Sequence, residues 1–229
     1  MLMQTTVRRI RAGISNSYLL KQEGIILIDS GVSGSSKTIL NALSQMCDDP
    51  KQLRLIILTH GHDDHIGSTN EIVEYTGAQV ALHRSDAQYL TRGKPVPSPP
   101  VTRWARAMAP IINFPPIASR MAASPIEVNV ILGEDEVSLL PYGIAGSVLY
   151  TPGHTEGSVS VLLEDGRAFV GDMVMNGFPS LRFRPGFPIV AQDKQTLARS
   201  WQKLLGAGAT FVHPGHGAPF PVDRMRDSL

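Results

Sequence analysis

The segment Thr59–Gly67 reads THGHDDHIG and places His60, His62, Asp64 and His65 within six residues. Neutral imidazole and carboxylate are the ligands that zinc and iron accept when thiolate is absent. The only cysteine, Cys47, lies outside this cluster, so a cysteine-rich site is excluded. Four such groups so close in sequence cannot share one tetrahedral shell without severe backbone strain. Two adjacent ions sharing the loop are therefore expected. Asp63 reads as a helix cap or solvated turn. A plain polar loop would account for one aspartate but not for three histidines at this spacing.

The remaining ligands must come from elsewhere, and beyond the cluster the histidines are His83, His154, His213 and His216. His154 lies in TPGHTEGS, where Pro152-Gly153 breaks a strand and turns the imidazole inward. His216 lies in HPGHGAP, again behind an apolar run and a Pro-Gly break. Asp165-Gly166 reads as a two-residue hairpin loop that pairs Glu164 with Arg167. Counting along that ladder sets Asp172, in VGDM, opposite Val159 and at the His154 end of the hairpin. Singly, each of these three residues reads equally well as a satisfied polar loop group; together with the cluster they read as ligands. His83 and His213 read as satisfied structural or surface histidines.

The elements that must hold these loops follow from periodicity. Strands are expected at Ser17–Leu20, Ile25–Ile28, Leu55–Leu58, Gln79–Leu82, Glu127–Ile131, Ser147–Tyr150, Ser158–Leu163, Arg167–Val170 and Thr210–His213. The apolar runs IILI and LIIL suit strands buried on both faces. Helices are expected over Ser36–Met46, from about Ile66 to Tyr75 with Gly77 as the stop, and over Lys194–Leu205. The chemical cluster thus follows a strand and opens a helix, where functional groups gather in α/β sheets. Between Pro95 and Pro125 stand eight of the 17 prolines, among apolar residues such as Trp104, Ile111, Ile112 and Phe114. This stretch, about residues 91–125, reads as an insertion or lid within a single domain spanning 1–229, because it is too apolar for a linker.

The ordered pattern His-x-His-x-Asp-His, a distant PGHT, Gly-Asp and a final PGHG resembles the metallo-β-lactamase superfamily of hydrolases. The match covers nearly the whole chain. The resemblance implies an α/β fold of αββα type: two mixed β-sheets packed face to face, with helices on the outer faces and the site at one edge. It implies one metal on His60, His62 and His154, a second on Asp64, His65 and His216, and Asp172 bridging them. The ions would be divalent, zinc first, with iron or manganese as alternatives. Two ions about 3.5–4 Å apart bring the pKa of a shared water down towards about 7. Asp64 is then the catalytic residue, orienting the hydroxide and passing its proton to the leaving atom. Asp29, in IDSG, resembles the position from which a carboxylate fixes a ligand histidine.

The same comparison separates branches. One lactamase class uses a cysteine ligand and another lacks the bridging aspartate, so the ligand set instead resembles the thioesterase and lactonase branches, such as glyoxalase II. Glyoxalase II carries a helical region after its last histidine, whereas 13 residues follow His216 here. The expected reaction is cleavage of an ester, thioester or lactone. A phosphodiesterase is the alternative within hydrolases, and a persulfide dioxygenase with one iron is the alternative outside them.

Charge narrows the partners. A formal net charge of +1 gives no global attraction to nucleic acid or membrane, and no apolar run reaches the roughly 18 residues of a membrane span. The N-terminal sequence carries arginines with no apolar core behind them, so no signal peptide is read there and the cytoplasm is expected. Within the insert region Arg84, Arg92, Lys94, Arg103, Arg106 and Arg120 face one acid, Asp86. With Arg182 and Arg184 beyond Asp172, this suggests a small anionic substrate with an apolar part.

Overall fold

The computed structural model describes residues 4–92, 94–97, 99–101, 106–107, 125–177 and 182–226. Most of the proline-rich insert lies outside the described residues, and so does the question of whether it forms a lid.

Six strands make the first sheet, in the order β1 (Thr6–Ala12), β2 (Ser15–Lys21), β3 (Ile25–Ile28), β4 (Leu53–Ile57), β5 (Gln79–His83) and β6 (Val130–Leu132). The β1–β2–β3 meander is antiparallel and the β3–β4–β5–β6 pairings are parallel. Parallel neighbours need crossovers; the segments between them carry α1 (Ser36–Ser44), α2 (Asp63–Ile66), α3 (Thr69–Thr76) and α4 (Arg84–Leu90). The second sheet contains β7 (Val137–Ser138), β8 (Gly146–Tyr150), β9 (Val159–Leu163) and β10 (Arg167–Phe169). A small sheet joins β11 (Met175–Gly177), β12 (Arg182–Gly186) and β14 (His216–Gly217). The second sheet is completed by β13 (Phe211–His213), parallel to β10, and by β15 (Phe220–Pro221). Two further helices are α5 (Lys194–Gly206) and α6 (Asp223–Arg226).

Strand alternation sorts the core into layers. In β3, Ile25 and Leu27 pack on one side with Ile39, Leu43 and Ile72 from the helices. Ile26 and Ile28 point the other way, against Val148, Val161, Leu163 and Phe169 of the second sheet. Beyond that sheet, Leu149, Leu162, Ala168 and Val212 meet Leu197, Trp201 and Leu204 of α5. Three clusters between four layers make an αββα sandwich.

Three local expectations change. The helix expected from Ile66 breaks into α2 and α3, because the Gly67 N–H donates to Gly31 O at 2.8 Å, outside the helix, where a Cβ would lie 2.3 Å from the Ser33 nitrogen. The β9–β10 register is one residue shorter than expected, with Ala168 opposite Leu162 and Phe169 opposite Val161. Gly166 adopts φ 85° and its N–H donates to Leu163 O, so the turn takes three residues and not two. β10 then stops at Phe169, and Asp172 lies in a short helical turn, Gly171–Met173. Helix α4, directly after β5 and ahead of the insert, lies where no helix was expected.

His213 is not a satisfied histidine. Its ring stacks on Phe169 at 4.5 Å and meets Tyr18 edge-on at 5.4 Å, and neither buried ring nitrogen has a hydrogen-bond partner. Burial, with Arg167 and Arg9 adding to it, pushes its pKa down to about 4. The unfolded chain therefore takes up this proton first. The contribution to stability is complete above about pH 6.5 and is lost as pH falls towards about 4, by on the order of 3 kcal/mol. In metal-free protein, His213→Phe is expected to lose less stability than the parent between about pH 7.5 and about pH 4.5 by urea unfolding. Equal losses in the two proteins would show that the ring nitrogens are hydrated.

Candidate metal centre

Every residue expected to ligate a metal comes from a chain segment that leaves a strand at the same edge of the sandwich. β4 leads into Thr59 and His60, β8 into the turn that carries His154, β10 into the short helical turn with Asp172, and β13 into the segment leading to His216. His62 stands at the N-cap of α2, Asp63 and Asp64 fill its first turn, and His65 faces the interior. Asp63 thus begins the helix and does not cap it.

The structure brings all seven residues together. Ligand atoms of His60, His62 and His154 lie within 4.8 Å of one another, and so do those of Asp64, His65 and His216. In the first group His154 Nε2 is 3.0 Å from His62 Nδ1. In the second, His216 Nε2 lies 3.1 Å from Asp64 Oδ2 and 3.4 Å from His65 Nε2. Asp172 reaches both: Oδ2 is 3.7 Å from His154 Nε2 and 3.4 Å from His216 Nε2, and Oδ1 is 3.3 Å from His65 Nε2.

The nitrogens that face away from the centre are held by acceptors. His154 Nδ1–H donates to Val190 O at 2.9 Å and His216 Nδ1–H to Ile14 O at 3.0 Å. His65 Nδ1–H donates to Asp29 Oδ2 at 2.8 Å. His60 Nδ1–H donates to Thr59 Oγ1 at 3.0 Å, and that hydroxyl donates to Asp29 Oδ2 at 2.9 Å. Each such bond fixes the tautomer and turns the other nitrogen's lone pair inward. Asp29 therefore orients one histidine directly and another through Thr59, a residue that sequence reasoning passed over. The signal was its place between the apolar strand and the first ligand. Asp29 is the one described non-glycine residue at positive φ, 56°, held there by these bonds and by Thr59 N–H at 2.8 Å.

Charge divides the two groups. Burial lowers His60, His62 and His154, with His62 at about 3, so these three imidazoles are neutral at pH 7. Burial works against charge on His65 and His216 too, but Asp172 and Asp64 outweigh it and raise His216 to about 10. Burial likewise works against charge on the two carboxylates, yet His65 and His216 hold Asp64 at about 2 and Asp172 well below the usual range. Two atoms in this buried set, His60 Nε2 and Asp172 Oδ1, make no hydrogen bond. Leaving such atoms unpaired is costly, and a cation between them satisfies both. The donor set, imidazole and carboxylate without thiolate, fits divalent zinc, iron or manganese.

The described start of the insert braces this edge. Val96 is buried beside Gly61, Pro100 bridges Val190, and Ala191 N–H donates to Pro99 O. Among the described residues no helix is long and apolar enough to cross a membrane.

Known proteins resemble this chain over nearly its whole length. The family model described as "Metallo-beta-lactamase superfamily" matches residues 10–216. The chain is 29% identical to the "Probable metallo-hydrolase YflN" of Bacillus subtilis (strain 168), over 97% of this chain and 88% of that one. Among solved structures, it resembles the BLEG-1 B3 metallo-beta-lactamase with a TM-score of 0.71 and 22% identity, covering 97% of each chain. It also resembles the superfamily protein ST1585 from Sulfolobus tokodaii, with a TM-score of 0.66 and 22% identity, covering 96% of this chain and 83% of that one.

Proposed function

This chain belongs to the metallo-beta-lactamase superfamily and is a metal-dependent hydrolase, and from that premise we propose that it cleaves an ester, thioester or lactone at a dinuclear, zinc-type centre. The observation that carries this reading is Asp172, whose carboxylate lies within 3.7 Å of nitrogens from both histidine groups. His60, His62 and His154 would hold one ion and Asp64, His65 and His216 the other, with Asp172 within reach of both groups. When bound, two ions supply Lewis acidity and a water ionised near neutral pH.

The chain's own residues do the rest. Asp29, Thr59, Val190 and Ile14 keep the imidazole lone pairs aimed inward, so little reorganisation accompanies the reaction. Asp64, with its side chain 16% exposed, is open to a substrate, orients the attacking water and carries its proton to the leaving atom. The substrate is a small molecule, anionic with an apolar part, a reading supported by the basic and apolar composition of the insert and by the contacts of Val96, Pro99 and Pro100 with this edge.

The test is elemental analysis of metal-loaded protein, followed by a panel of ester, thioester, lactone and phosphodiester substrates. Two ions per chain and turnover of a carbonyl ester class are expected. A single iron with oxygen consumption on glutathione persulfide overturns the hydrolase reading, and turnover of the phosphodiester alone moves the substrate class.

A further inference from the structure

Asp86, which composition placed among the charges of a basic surface stretch, is instead buried, with 1% of its surface exposed. It lies in the first turn of α4, one layer behind the candidate metal ligands. Its Oδ2 accepts the Gly61 N–H at 2.8 Å and the Thr155 hydroxyl at 2.8 Å, and its Oδ1 accepts the Gly157 N–H at 3.0 Å. Gly61 separates His60 from His62, and Thr155 follows His154. One carboxylate thus clasps the two loops that carry the first ligand group.

Both glycines are shaped for this contact. A Cβ on Gly157 would lie 2.5 Å from the Asp86 carboxylate carbon, and one on Gly61 would lie 2.7 Å from Val96 Cγ2. The bare backbone lets each N–H come straight onto the carboxylate. Thr155 is braced in turn, since its N–H donates to Ser158 Oγ at 2.9 Å and its hydroxyl lies 2.9 Å from the same atom. Burying a carboxylate is costly unless its lone pairs are filled, and here three donors converge on it. An amide cannot replace it in full: in either orientation its NH₂ faces a backbone N–H, that of Gly157 if the oxygen keeps Gly61 and Thr155, or that of Gly61 if the oxygen keeps Gly157.

We infer that Asp86 is a positioning residue that fixes the spacing between the His60–His62 loop and the His154 loop, so that these three imidazoles converge before any ion arrives. This rests on the reading of those histidines as metal ligands. His65 and His216 are tied instead through Asp29 and Ile14, and Asp86 touches neither. Its loss therefore acts on one group and spares the other, an asymmetry that general loosening of the fold would not produce.

The experiment is cobalt(II) titration of the metal-free chain and of Asp86→Asn, with chelator competition for affinity and proton NMR for assignment. Each bound imidazole contributes one shifted, exchangeable N–H, so the first group is recognised by its three histidines and the second by its two. Asp86→Asn is expected to weaken cobalt at the three-histidine group about 10–100-fold, the usual cost of losing an outer partner. The two-histidine group should keep its affinity within a few-fold. Should Asp86→Asn fail to fold, Thr155→Val decides, because it removes a single bond to the carboxylate and should give a smaller loss at the same group. Equal weakening of both groups, or unchanged affinity at the first, overturns the inference. A parent chain that binds no cobalt overturns the metal reading itself, and the inference with it.

Discussion

Replacing Asp64 with asparagine is expected to lower kcat by about 10²–10⁴-fold, the range of acid–base roles, with the fold intact. The substitution keeps the size of the side chain and removes its charge and its capacity to take a proton. Asp64 is suited to such a role because the imidazoles beside it are held in place. His216 Nε2 stands 3.1 Å and His65 Nε2 3.7 Å from Oδ2, and in the metal-free chain they hold its pKa down to about 2 despite its burial. Ser15 Oγ–H donates to Asp64 O at 2.5 Å, so the backbone is anchored independently of the carboxylate. Asp64 is also placed as a ligand, so kcat must be measured per bound ion, with metal content determined on the same sample. Activity per loaded site within a few-fold of the parent would remove Asp64 from the catalytic machinery.

Asp172→Asn is expected to act on the metals before it acts on the chemistry. The side chain is 4% exposed, and its two oxygens stand within 3.7 Å of nitrogens from His65, His154 and His216. An amide there keeps one oxygen and turns an NH₂ towards imidazole nitrogens that must offer lone pairs to a cation. Loss of an outer partner alone costs about 10–100-fold in metal affinity, so loss of a shared ligand should cost at least about 100-fold. Activity at limiting metal should fall in step. The measurement is metal content after equilibration at fixed free metal, alongside turnover. Retention of two ions with near-parental turnover would show that the two groups do not depend on a common carboxylate.

The ligand set was legible because its residues are chemically unusual and follow recognisable strands: an ordinary polar loop has no use for three imidazoles directly behind an LIIL run. Of the residues that steer those ligands, Asp29 was legible in IDSG and the others were not. Thr59 and Asp86 are ordinary residue types, and what they do depends on contacts across 25 to 71 positions of sequence. Asp86 misled for a physical reason: counting charge along the chain cannot tell a surface acid from one folded inward by a single helical turn. Strand β1 was missed because Arg8, Arg9 and Arg11 obscure its alternation, as is common on an exposed sheet edge. The β9–β10 register slipped because Asp-Gly serves both a two-residue loop and a three-residue loop closed by a left-handed glycine, and local sequence does not choose between them.

The tie between Ile14 and His216 bears on the order in which this protein assembles. Asn16 N–H donates to Gly215 O, the Asn16 amide reaches Pro214 O and Gly217 O, and the Tyr18 hydroxyl donates to Pro214 O. Residues separated by about 200 positions thus knit one half of the metal centre. Closing so long a loop is entropically expensive and comes late in folding, when most of the sandwich already exists to reward it. The three histidines of the first group lie between positions 60 and 154, whereas the second group also needs His216. A cation held across Asp64, His65 and His216 would act as a latch on the final closure: its binding energy would add to the stability of the closed chain and be withheld from every state in which the far segment has yet to dock.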